Sequence, residues 1–95
     1  MYFAFICKDK PGAQDIRVQN RPAHLDYLAR FEELVLIAGP LQTPDGTGMT
    51  GSLLVLDFPD RKAAEDFASE DPYNQAGLFE SVEIHRWKKV IPQGV

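Results

Sequence analysis

A single cysteine, Cys7, excludes a disulfide within the chain, and its place in an apolar run marks it as a small buried hydrophobe of a reducing compartment, not a nucleophile. The two histidines, His24 and His85, stand far apart with no His-x-x-x-His spacing and no cysteine pair, so no metal site is expected. Basic residues are few and scattered. Ten Lys and Arg face 14 Asp and Glu, the net charge is -4, and no basic cluster exceeds Lys88-Lys89, which argues against a nucleic-acid partner. No apolar run approaches the roughly 20 residues of a membrane span. The apolar residues 1–7 lack the basic stretch and small-residue cleavage site of a signal peptide and read as a strand, so the expectation is a soluble, cytoplasmic protein without a membrane partner. A phosphate-cradling loop is also missing, because Gly46-Thr47-Gly48 precedes a strand and not a helix; no cofactor is expected, and nothing supports a serine nucleophile.

What is present suffices for one domain over residues 1–95. Apolar residues make up 44% of the chain, enough for a core, yet a domain of this size buries only about two-thirds of its unfolded surface, so a partner chain would help. Internal repeats and low-complexity runs are absent, and the tail 92–95 is short enough to fray harmlessly.

Residues 2–7 form an unbroken apolar run, the pattern of a central strand covered on both faces. Residues 8–20 carry Lys10-Pro11-Gly12 and several charges and read as a surface connection. A helix then opens at Arg21-Pro22, with proline in the first turn, where its missing N–H costs nothing. At 100° per residue His24, Tyr27, Leu28, Phe31 and Val35 fall on one stripe, which turns His24 inward beside the positive end of the helix. A second strand over 34–38 ends at Gly39-Pro40, and the polar segment 42–48 makes a mobile loop to an antiparallel third strand over 51–58. That strand is again apolar on both faces, with Leu54, Leu56 and Phe58 on one and Leu53 and Val55 on the other. Asp60 caps a second helix whose narrow buried side is Ala63, Ala64, Phe67 and Ala68. Pro72 stops this helix at Asp71, and a last strand spans 81–88.

The order strand, helix, strand, strand, helix, strand is the split pattern of a ferredoxin-like α+β sandwich with a four-stranded antiparallel sheet. Two helices cover one face of such a sheet. Since the first and third strands are apolar on both faces, the other face is expected to pack against a second copy, giving a homodimer with a shared core.

His24 and Asp71 are the candidate catalytic residues, because an imidazole that meets a carboxylate gains a fixed tautomer and a defined direction. Arg17 and Arg21 are candidates to bind a carboxylate or phenolate oxygen, and Gly39 and Gly51 offer close backbone approach to a substrate. Against these stand plainer readings. A histidine on an apolar helix face serves the core, an aspartate before proline ends a helix, the arginines are solvated or paired, the glycines answer to chain geometry, and Tyr73 and Trp87 pack at a dimer seam.

In this order, Arg21-Pro22-Ala23-His24-Leu25, Ala38-Gly39-Pro40, Thr50-Gly51-Ser52, Asp71-Pro72-Tyr73 and Ala76-Gly77 resemble the YciI-like (YCII-related) family, with Arg17 fitting the family pattern ahead of the helix. The resemblance spans nearly the whole chain. It implies a dimeric α/β barrel of ferredoxin-like protomers in which His24 and Asp71 face each other in a cleft, with Ser52 and Tyr73 joining Arg17, Arg21, Gly39 and Gly51 as substrate-binding positions. One relative acts as a dehydrochlorinase on a substituted hydroquinone. Two functions remain open at this point: a small enzyme of lyase, dehydrochlorinase or isomerase type acting on a small cyclic or aromatic metabolite, or a dimeric module that binds a small molecule or partner without transforming it.

Overall fold

The computed structural model describes residues 1–93, so the expected fraying of the tail 92–95 falls partly outside the described residues. Strand β1 (Tyr2–Asp9) lies between β3 (Met49–Asp57) and β4 (Phe79–Trp87), and β2 (Val35–Gln42) flanks β3, giving an antiparallel sheet of order β2-β3-β1-β4. Helices α1 (Gln14–Ala29) and α2 (Arg61–Glu70) supply the second layer, and a short α3 (Pro72–Gln75) follows α2. This is the ferredoxin-like α+β arrangement that the element order predicts.

Alternation along the strands sorts the side chains by face. Phe3, Phe5 and Cys7 of β1 and Leu54 and Leu56 of β3 meet Tyr27, Ala64, Phe67 and Tyr73 from the helices in one core. Phe67 is its centre, with ring centroids 5.3 Å from Phe5, 5.3 Å from Tyr27, 5.0 Å from Phe31 and 5.4 Å from Phe58. Ala63, Ala64 and Ala68 let α2 approach the sheet, and the Asp60 carboxylate caps the helix by accepting from the Ala63 N–H at 2.8 Å. The Tyr27 hydroxyl donates to the Phe67 carbonyl at 2.9 Å and so fixes α1 against the end of α2. On the opposite sheet face Ile37, Leu53 and Trp87 are exposed, and Tyr2 packs edge-on against Trp87. Among the described residues no helix is long and apolar enough to cross a membrane.

Two expectations about boundaries are corrected. Helix α1 starts at Gln14, so residues 8–20 are not a surface connection and Pro22 lies inside the helix. A proline there leaves the Val18 carbonyl without its helical donor, at a cost of roughly 3 kcal/mol. Both Val18 and Pro22 are on the exposed side, where water can hydrate that carbonyl, and the Asn20 side chain bonds the Ile16 carbonyl in the preceding turn. In consequence His24 is about three turns into α1 and not beside its positive end. Strand β2 also runs through Gly39-Pro40 to Gln42, with Pro40 opposite Ser52. As an edge strand, β2 has one side on which a missing N–H breaks no ladder bond. In the loop after β2, Asp45 accepts from the Thr43 hydroxyl at 2.7 Å and from the Thr47 hydroxyl and N–H at 2.8 and 3.1 Å.

Gly51 answers to chain geometry. A Cβ at this position would collide with the Cys7 carbonyl oxygen of β1, a backbone atom that can move only by separating the paired strands. Gly51→Ala is therefore expected to cost about 2 kcal/mol and to lower Tm by roughly 8–16 °C. An unchanged melting curve would contradict this close approach.

Candidate active site

The stripe of α1 that holds Arg17, Arg21 and His24 does not close fully onto the sheet. Between α1 and the β2–β3 edge lies a cleft of about 430 Å³, walled by apolar side chains including Val18, Leu25, Leu28, Pro40, Met49 and Leu54. Its volume suits a single small ring compound.

His24 and Asp71 meet at one end of this cleft. Asp71 is the last residue before Pro72 and adopts an extended ψ of 128°, as a residue preceding proline should. Its Oδ1 accepts the Tyr73 N–H at 2.9 Å, capping α3, and the same oxygen is 2.8 Å from His24 Nδ1. Because a backbone N–H can only donate, Oδ1 acts as an acceptor, and His24 Nδ1 carries the hydrogen that completes the pair. The other ring nitrogen, Nε2, has no hydrogen-bond partner among the described residues. Since no buried side-chain nitrogen or oxygen among the described residues lacks a partner, Nε2 opens to the cleft that His24 lines. In the neutral ring this nitrogen holds a lone pair and can take up a proton. The imidazole also stacks on the Tyr73 ring, with centroids 4.0 Å apart and planes 18° apart, which fixes its orientation.

Beside this pair is a second buried polar group. Arg17 donates through Nε to Asp9 Oδ2 at 2.7 Å and through Nη2 to Asp9 Oδ1 at 2.9 Å and Ser52 Oγ at 3.0 Å. Burial opposes its charge, but the hydrogen bonds and charge of Asp9, aided by Tyr73, outweigh burial and raise its pKa above the ordinary arginine value. The guanidinium carbon lies 4.7 Å from the centre of the Tyr73 ring. Burial likewise raises the Tyr73 phenol, against the opposing charges of Arg17 and Arg21, so the hydroxyl is protonated at neutral pH.

The structure thus brings His24, Asp71, Tyr73, Arg17 and Ser52 together and sets Arg21 on the same cleft, exposed. Gly39 lends its backbone to the cleft wall, and a Cβ there would meet nothing within 4 Å. Gly51 instead permits the approach of β1, and it does not line this cleft. Asp9 escaped the sequence reading. Its one sequence signal is an acidic residue closing an apolar strand eight positions before Arg17, and only the turn at Pro11-Gly12 brings the two together. Of the apolar walls, Met49 lay outside every motif, and Leu25 stood in the motif around His24 without being singled out. No group of three or more metal-ligating side chains occurs among the described residues.

Cys7, on the core side of β1, has its thiol pushed up to about 12 by burial and then by the nearby Asp71 charge. A thiol raised in the folded state stabilises the fold fully below its unfolded pKa of 9.0, and that contribution is lost as pH rises towards about 12. The native protein should therefore resist a disulfide thiol reagent at about pH 8 and react fully once unfolded in denaturant. Rapid labelling of the folded protein would contradict the burial of this thiol.

Comparison with known proteins bears on the family and the fold. Residues 1–88 match the YCII-related domain. The protein YciI of Escherichia coli O6:H1 is 35% identical over 97 aligned positions, covering 95% of this chain and 99% of the relative. The fold is similar to that of the 5-chloro-2-hydroxyhydroquinone dehydrochlorinase TftG from Burkholderia phenoliruptrix AC1100, solved in complex with 2,5-dihydroxybenzoquinone, with a TM-score of 0.87, 34% identity, and coverage of 93% of this chain and 94% of that one. SnoaB, a cofactor-independent oxygenase from Streptomyces nogalater, shares the fold alone, at a TM-score of 0.58 and 14% identity over 97% of this chain and 96% of that one. With the matched region taking in every strand and helix of the fold, this chain belongs to the YCII-related domain family.

Proposed function

We propose that this protein is a small-molecule enzyme of lyase, dehydrochlorinase or isomerase type, in which His24 Nε2 is the general base and Asp71 orients and stabilises the ring. The observation that carries this reading is the 2.8 Å bond between His24 Nδ1 and Asp71 Oδ1, with the opposite nitrogen open to the cleft. The similarity to a dehydrochlorinase supports it at family level.

The chemistry follows from the geometry. Nε2 removes a proton from a ring hydroxyl or an acidic C–H of a substrate held between α1 and the β2–β3 edge. In an elimination the electron pair left behind expels a leaving group as its anion, chloride in a halogenated ring, and the imidazolium passes its proton to solvent; in an isomerisation the pair relocates a double bond and the imidazolium returns the proton to another atom of the ring. Asp71 faces the imidazolium through the Nδ1 hydrogen and balances its charge, and the apolar walls keep competing water away from the ring. General base catalysis of this kind contributes roughly 10²–10⁴ in rate.

The same reading includes a homodimer. The sheet face away from the helices exposes Ile37, Leu53 and Trp87, and apposition of that face on two copies would bury them in a dimeric α/β barrel.

The test is turnover of 5-chloro-2-hydroxyhydroquinone and a panel of substituted hydroquinones by the native protein, His24→Gln and Asp71→Asn, with circular dichroism confirming the fold. His24→Gln is expected to lower kcat by about 10²–10⁴, and Asp71→Asn to lower it while leaving KM little changed. Undiminished turnover by His24→Gln would refute the base assignment. Binding of these compounds by the native protein without any turnover would favour the non-catalytic binding module.

A further inference from the structure

Charges around the cleft do not cancel. Arg17 is spent on Asp9, which it meets through two of its nitrogens, and His24 is paired with Asp71. Arg21, which follows Arg17 by four positions on α1 and precedes His24 by three, lines the cleft and meets no carboxylate among the described residues. It is therefore an uncompensated cation on an apolar cleft, in a chain whose net charge is -4. The nearby Tyr73 hydroxyl has a hydrogen to give. The Tyr73 hydroxyl donates to no acceptor among the described residues, and Tyr73 lines the same cleft.

From this arrangement we infer that Arg21 and the Tyr73 hydroxyl form an oxyanion-binding subsite beside His24, which selects planar substrates carrying an ionised ring oxygen. This deepens the reading of the cleft given above and rests on it for the position of the substrate. The charge of Arg21 is felt at Tyr73, where it opposes the effect of burial on the phenol. A phenolate held there places the ring edge next to Nε2, while the apolar walls contact its faces. A neutral ring of the same shape keeps those apolar contacts and gains nothing from Arg21, so the subsite discriminates by charge and not by size.

The test uses 4-nitrophenol, ionised at mildly alkaline pH, and 4-nitroanisole, its uncharged methyl ether, with Kd measured by calorimetry at one pH on the full chain. The native protein is expected to bind the phenolate at least about tenfold more tightly than the ether. Arg21→Gln should abolish most of that preference while leaving the ether's Kd unchanged. Tyr73→Phe, which keeps a ring to stack on His24, should weaken phenolate binding by a smaller factor. Equal affinity for the two probes, failure to bind either, or a preference that survives Arg21→Gln would overturn the subsite. Neither probe offers a leaving group to the base, so the result is independent of turnover. A phenolate preference retained by His24→Gln, together with undiminished turnover by that variant, would leave the subsite standing and remove the base.

Discussion

One carboxylate oxygen serves the backbone and the cleft together. Asp71 Oδ1 caps α3 through the Tyr73 N–H and receives His24 Nδ1 from α1. Pro72 forces Asp71 out of helical geometry, so α2 must end there and the carboxylate is left pointing at the start of the next turn. The Tyr27 hydroxyl then binds the Phe67 carbonyl, four residues before Asp71, and holds α1 at a fixed height against α2. His24, one helical turn before Tyr27, reaches the carboxylate as a consequence. The geometry of the imidazole is in this sense a product of helix termination, and a loose corner at Asp71-Pro72 would leave it without direction.

Keeping such groups buried costs energy unless every partner is supplied. Arg17 and Asp9 have side chains only 6% and 7% exposed, and removing one partner of a buried pair typically costs about 3–5 kcal/mol. Ser52 takes a further Arg17 donor, and Tyr73 lies against both Arg17 and His24. This network ties β1, β3, α1 and α3 together beneath the cleft, so the residues that line the cleft rest on a floor whose hydrogen bonds are satisfied. Arg17 belongs to that floor, whereas Arg21, in the next turn, lines the cleft and is exposed.

Much of this was legible because it depends on local rules. Alternation in β3 gave both faces correctly, the Asp60 cap and the alanine-rich side of α2 are as the periodicity requires, and the order of elements named the fold. The sequence erred where tertiary context overrides a local preference. Pro22 is a good first-turn residue, but the core anchors Ala13, Arg17 and His24 along a longer helix, and the exposed side tolerates the missing hydrogen bond. Gly39-Pro40 looks like a strand terminator, yet an edge strand accepts it. Asp9 was invisible as a partner because its role depends on a turn that doubles the chain back, and a lone acid at the end of a strand carries no spacing signal.

The central claim is that His24 is held as the Nδ1–H tautomer, with Nε2 as the proton acceptor. Long-range nitrogen–proton NMR of the imidazoles, recorded at a pH where the ring is neutral, reads this directly, with the exposed His85 as comparison. The account predicts an unprotonated Nε2 for His24 in the native protein and a shift towards the other tautomer in Asp71→Asn. A native His24 protonated at Nε2, or one whose tautomer is indifferent to Asp71, would contradict it.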